Sequence, residues 1–100
     1  MRRLMSFGWA YGGGIDPEDF YVVDVRQIPN VNFLTPRLRK SHVLSNPFAQ
    51  SVISLADLVP NVAVGCSFGK HRSVIIVEEI ARQLRAKGEE VEVIHRDRDK

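Results

Sequence analysis

The sequence predicts a small α/β domain of three layers around a mainly parallel four-stranded sheet. Three observations predict it. Short apolar runs alternate with helical stretches, a pattern that calls for right-handed crossovers and parallel pairing. The 100 residues make one domain, spanning 1–100, that can hide one modest core without disulfides or metals. With 44% hydrophobic and 26% charged residues the chain has ordinary globular composition, which excludes disorder and collagen-like structure.

The elements follow in order. Arg2 to Phe7 is short and apolar and meets Gly8, which makes a first strand. Gly12-Gly13-Gly14 is a loop, and Asp16-Pro17-Glu18 signals a helix start with room for little more than one turn. Residues 20–25 are β-branched and aromatic and read as a strand covered on both faces. Residues 27–46, with Pro29 and Pro36 and no clear period, read as a long ordered loop. Asn46-Pro47 opens a helix whose stripe is Phe48, Val52, Leu55 and Val59, closed by Pro60-Asn61. Val62 to Val64 is a third strand and Gly65 to His71 a loop. Residues 73–87 form the clearest helix, with Val77, Ile80, Ala81 and Leu84 on one face. Charged residues line its other face, with Glu78 four positions before Arg82. Gly88 stops it, Val91 to Ile94 is the last strand, and the polar tail 95–100 is expected to fray.

One cysteine cannot form an internal disulfide or a Cys-rich zinc module, which places the chain in the reducing cytoplasm. No apolar run approaches the roughly 18 residues of a membrane span, so no membrane partner is expected. Met1-Arg2-Arg3 resembles a signal-peptide start, but glycines end the apolar stretch at once.

The net charge of +2 is unevenly spread. No acidic residue lies between Asp24 and Asp57, while Arg26, Arg37, Arg39, Lys40 and His42 do. Such a stretch is either a solvated basic loop or a surface for phosphate-bearing partners, RNA among them. Parallel sheets bind ligands beyond the carboxyl ends of their strands. Ser6-Phe7-Gly8, Asp24 to Arg26, Gly65 to Arg72 and His95-Arg96 all fall there.

The informative segment is Gly65-Cys66-Ser67-Phe68-Gly69-Lys70-His71-Arg72-Ser73. It joins a strand to a helix N-terminus, its glycines permit a tight turn, and its amides converge where a phosphate would sit. Lys70, His71 and Arg72 add cationic donors, and Ser67 and Ser73 add hydroxyls. The nucleotide-kinase pattern G-x-x-x-x-G-K-[ST] does not fit. Cys66-x-x-Gly69-x-x-Arg72-Ser73 has the spacing of the cysteine phosphatases, with Cys66 as nucleophile and Arg72 as clamp. That chemistry needs a general acid. Only Asp24 and Asp97 are candidates, and the histidine that usually precedes the cysteine is Gly65 here.

These residues resemble the C-terminal domain of the RNase adapter protein family, the RapZ family. Ser6-Phe7-Gly8 matches its S-F-G, and Val23 to Asn32 its F-D-V-R-x-x-P-N-P-H. Pro36-Arg37-Leu38-Arg39, then Pro47, matches P-x-L-R and a further proline. Gly65 to Val74 matches G-C-T-G-G-K-H-R-S-V, and His95-Arg96 its closing H-R. The resemblance implies a fold like one subdomain of phosphofructokinase, a pocket for an amino-sugar phosphate, RNA binding, self-association and a protein partner. Carried over by position, the pocket set is Ser67, Phe68 and Arg72, with Asn32 where the family has a histidine. Phe68 stands where the family has glycine. The family's N-terminal nucleotide-binding domain has no counterpart in these residues, which reads as a stand-alone relative. The segment before the third strand is shorter than the family's.

The expected function is therefore a binding domain without catalysis or cofactor, a regulatory adapter holding a sugar phosphate, a nucleotide or an RNA backbone. A cysteine phosphatase and an oligomerising module with a structural phosphate loop are the alternatives. The ligand set is Ser6, Asn32 and Cys66 to Ser73; the RNA set is Arg26, Arg37, Arg39, Lys40, His42, His95 and Arg96. Asp24 and Arg26 are either functional or a buried ion pair, and His95 either meets ligand or closes the last strand. Trp9 and Tyr11 either stack on a base or pack against a neighbour. No histidine spacing supports a metal site.

Overall fold

Alternation along each strand sorts the apolar residues onto the two faces of a sheet. In the computed structural model, which describes residues 1–100, the strands β1 (Arg2–Gly8), β2 (Tyr21–Asp24), β3 (Asn61–Cys66) and β4 (Val91–His95) are all parallel and lie in the order β2-β3-β1-β4. Leu4, Val23, Val62, Val64 and Cys66 point to one face, where they meet the helices. Those helices are α1 (Pro36–Leu44), α2 (Pro47–Leu55) and α3 (Arg72–Ala86). Phe7 and Ala63 point to the other face, where Phe20, Trp9 and Ile15 cover them. The layers are thus the helices, the sheet, and the segment from the 3₁₀ turn Trp9–Tyr11 to Phe20.

α3 follows the expected stripe, burying Val77, Ile80, Ala81 and Leu84. Its surface pair is Arg82 with Glu79, one residue short of the expected Glu78, which goes to His95 instead. Asp16 opens one hydrogen-bonded turn, as its position predicts. Asn46 caps α2 by accepting from the amides of Phe48 and Ala49 at 2.9 and 3.3 Å. α2 ends at Leu55, earlier than the stripe implies, yet Val59 still packs on the core. Arg2 fastens this region to the sheet, donating to the carbonyls of Ala56 and Val59 at 2.5 and 2.7 Å and to Glu89 at 2.7 Å.

Three expectations need correction. Residues 36–44 are a helix, not loop: Thr35 caps it and Pro36 sits in its first turn. β2 is an edge strand, so Tyr21 and Asp24 are exposed although Val23 is buried. The tail does not fray, because Asp97 is wholly buried and accepts from the Gly8 amide at 2.8 Å. No helix is long and apolar enough to cross a membrane.

Candidate functional site

β3 runs out at Cys66 and α3 begins at Arg72, so five residues must reverse the chain at the carboxyl edge of the sheet. Gly69 makes the turn with φ +71°, a conformation that disfavours any residue with a Cβ. Its partner is Gly8 at the end of β1. A methyl on Gly69 would lie 2.6 Å from the Gly8 nitrogen, and one on Gly8 would lie 2.4 Å from the Phe68 carbonyl carbon. The loop and β1 therefore lie backbone against backbone. Gly65 has a different duty: a side chain there would collide with Phe7 and Trp9 on the far face of the sheet.

Arg72 holds the site together. It is 7% exposed, and its guanidinium donates to the carbonyls of Arg26 at 3.1 Å and Ile28 at 2.8 Å. Its other terminal nitrogen donates to the Ser67 hydroxyl at 3.1 Å. One buried side chain thus ties the loop after β2 to the loop after β3.

Between these loops opens a cavity of about 270 Å³, lined by Asn30, Asn32, Cys66, Phe68, Lys70, His71 and Arg72. The lining holds cations and no carboxylate. Burial, and then the charges of Arg39, Lys70 and Arg72, hold the His71 imidazole below the usual histidine range. Arg39 donates to His71 Nδ1 at 3.3 Å, and arginine has no acceptor, so that nitrogen is the unprotonated one. The imidazole is neutral at pH 7 and would gain affinity for a proton when an anion arrives.

Burial pushes the Cys66 thiol up, but hydrogen bonds from the Ser73 hydroxyl and the amides of Ser73 and Gly69, with the charge of Arg72, outweigh it. The thiol ends below the ordinary cysteine value. Asp24 is in a bidentate pair with Arg26, whose hydrogen bonds hold the carboxyl below its usual range despite some desolvation. A carboxylate held ionised is a poor proton donor.

The structure gathers Asn32, Cys66, Phe68, Lys70, His71 and Arg72 around the cavity, with Ser67 bonded to Arg72 and Gly69 behind them. Other residues of the expected set lie elsewhere. Ser73 turns inward, 3.2 Å from Cys66 Sγ. Ser6 is wholly buried in the sheet and shares a 2.6 Å hydrogen bond with His95 Nδ1, while His95 Nε2 meets Glu78 at 2.7 Å. Both follow the even-odd alternation onto the helix-covered face, which takes them off the cavity wall. His95 closes the last strand.

The basic set divides. Arg37, Lys40 and His42 are exposed on α1. Lys40 lies close enough to Glu79 to help lower its carboxyl, so it faces α3. Arg39 turns inward, donating to the carbonyls of Asn32 and Leu34 as well as to His71. Arg26 is half-exposed in its pair with Asp24, which is no buried ion pair, and lies 5.0 Å over the Trp9 ring. Arg96 grips Asp97 and the carbonyls of Gly12 and Gly13. Trp9 packs edge-on against Phe7 and donates to the Gly65 carbonyl at 3.1 Å. Lys100 rather than a base lies over Tyr11. No cluster of His, Cys, Asp and Glu is arranged for a metal.

Asn30 lines the cavity and was visible in the sequence only as part of the Pro29-Asn30 turn. Asp97, which braces the loop from behind, carried no sequence signal beyond its polar tail.

Residues 56–99 match the family model of the RapZ C-terminal domain. A nucleotide-binding protein of Streptomyces coelicolor is 37% identical over 94% of this chain and 38% of its own length. A nucleotide-binding protein of Geobacter sulfurreducens is 36% identical over 98% of this chain and 42% of its own. One of Clostridium acetobutylicum is 34% identical over 94% of this chain and 39% of its own. The chain therefore spans about two fifths of the length of these curated relatives. The Streptomyces alignment runs over 118 positions against 94% of a 100-residue chain, so that relative carries segments this chain lacks.

Proposed function

As the chain belongs to the RapZ C-terminal domain family, we propose that it is a nucleotide- or RNA-binding regulatory domain that holds a phosphate group in the loop after β3. The carrying observation is the cavity lining: Arg72, Lys70 and His71 with no carboxylate, at the turn where α3 begins. Amides at a helix start and fixed cations both favour an anion. The relatives bear the name nucleotide-binding protein, which agrees with a phosphate-bearing ligand. Self-association and a protein partner belong to the same reading, since one 11.3 kDa domain offers few contacts of its own. The phosphatase reading asks Asp24 or Asp97 to give up a proton, and hydrogen bonds hold both carboxyls low.

Sulfate tests the site, because it does not itself titrate near neutrality. At a hundred times its dissociation constant it should stabilise the fold by about 2.7 kcal/mol. Arg72→Lys keeps one charge but loses the fork that joins Ser67 to the carbonyls of Arg26 and Ile28, so the ion-dependent gain should fall by more than half. The melting shift with and without sulfate is compared within each protein, which removes any change in basal stability. Binding should tighten as pH falls through about 6.5 and below, since the ion restores the depressed proton affinity of His71, and His71→Gln should flatten that trend. Equal sulfate shifts in wild type and Arg72→Lys would overturn the proposal.

A further inference from the structure

Phe68 stands between two cavities. On one side is the cation-lined cavity just described. On the other is a second of about 260 Å³, bounded by Trp9, Ala10, Arg26, Ser67 and Phe68. Each is smaller than the roughly 300–1,000 Å³ of common ligand sites, and a ligand spanning both would reach that range. The two differ in chemistry. The first offers Arg72, Lys70 and His71; the second offers two aromatic rings and the half-exposed guanidinium of Arg26, which lies 5.0 Å over the Trp9 ring. The Phe68 ring is 55% exposed although both its neighbours' backbones are locked, Ser67 by the Ala10 amide and Gly69 by Gly8. A rigidly mounted, exposed ring beside a phosphate site is a stacking platform.

We propose that the second cavity takes the aromatic base of a nucleotide unit whose phosphate sits in the first. Phe68, at the shared wall, is then the residue that sets specificity: it favours a base-bearing phosphate ester over a plain sugar phosphate. The proposal rests on the phosphate-binding reading of the loop after β3. The unit can be a free nucleotide or one residue of a single strand of RNA, and the chemistry recognised is the same.

The probes are sulfate, ribose 5-phosphate, adenosine 5′-monophosphate and a short single-stranded oligoadenylate, titrated into the wild type and into Phe68→Ala. Stacking on an aromatic side chain is worth about 1–3 kcal/mol per base, or roughly 5- to 150-fold in affinity. The mononucleotide should therefore bind at least about fivefold more tightly than ribose 5-phosphate. Phe68→Ala should bring the two within about twofold and leave sulfate unchanged, while Phe68→Tyr should restore the preference. Trp9 is the one tryptophan, so its emission reports the second cavity: the mononucleotide should change it and ribose 5-phosphate should not. Affinity that grows from mononucleotide to oligoadenylate supports the cavity with RNA as the source; affinity that stays level supports it with a free nucleotide. Equal binding of mononucleotide and ribose 5-phosphate in the wild type overturns the base cavity and leaves the phosphate site standing. Failure of sulfate and ribose 5-phosphate alike overturns both.

Discussion

A single carboxylate, Asp97, shows how much of the site rests on one residue. It is wholly buried and accepts from the Gly8 amide, from Arg96 and from Lys100. Burial alone would raise its proton affinity, but these hydrogen bonds and the charge of Arg96 reverse that and hold the carboxyl far below the usual range. The folded value lies below the unfolded one, so the stabilisation is complete above the unfolded value of about 3.9 and is lost as pH falls through the range beneath it. Asp97→Asn should cost about 2 kcal/mol at pH 7, the scale of hydrogen bonds to a charged group. The gap between variant and wild type should close as pH drops below about 4, and urea unfolding at several pH values checks both statements. None of this could be read from the tail, because Asp97 and Gly8 are 89 residues apart. Ser6 and His95 were misplaced for the same reason: only the strand register shows that they face each other under the helices. The loop from Gly65 to Ser73 was legible because its glycines, cations and helix start are neighbours in sequence.

Among the elements, α1 and α2 carry the same opening signal and were read differently. Asn46-Pro47 is followed by an apolar stripe and was recognised. Thr35-Pro36 is followed by Arg37, Arg39 and Lys40, with Val43 as its one buried residue, so no period announced a helix. The structure supplies what the pattern lacks, since α1 packs against α3 and α2. The two caps should differ in strength. Asn46 accepts from the Phe48 amide at 2.9 Å, whereas Thr35 accepts from the Leu38 amide at 3.4 Å. Asn46→Ala should cost about 1 kcal/mol and Thr35→Ala a few tenths, measured as shifts of the denaturant midpoint at constant slope. α3 was legible from end to end, because amphipathic period, Gly88 and the preceding loop agree.

At the scale of the whole molecule, the charge asymmetry is weaker than counting suggests. Arg26 is paired with Asp24, Arg39 is turned into the site, Lys70 donates to the carbonyls of Arg98 and Lys100, and Arg96 serves the glycine loop. Arg37 and His42 remain exposed on α1 without a side-chain bond of their own. The affinity for a single strand of RNA should therefore depend only mildly on salt. Each phosphate neutralised contributes about −0.7 to the log–log slope, so a slope near −2, about three phosphates, is expected. Arg37→Ala should flatten it by about 0.7 without altering base preference. Fluorescence anisotropy at four or five salt concentrations measures both.

The sheet order also dictates when this protein can come into being. β1 is the first strand to be synthesised, yet it lies between β3 and β4, and Gly8 waits for Asp97. A ribosome making this chain must release residues 91–97 from its tunnel before the sheet can close or the loop be braced. Until then β1 offers the nascent chain an open edge flanked by Leu4 and Phe7, which become buried only in the finished fold. Translation that stalls in α3 would yield a product with most of its residues and neither its completed sheet nor its braced loop.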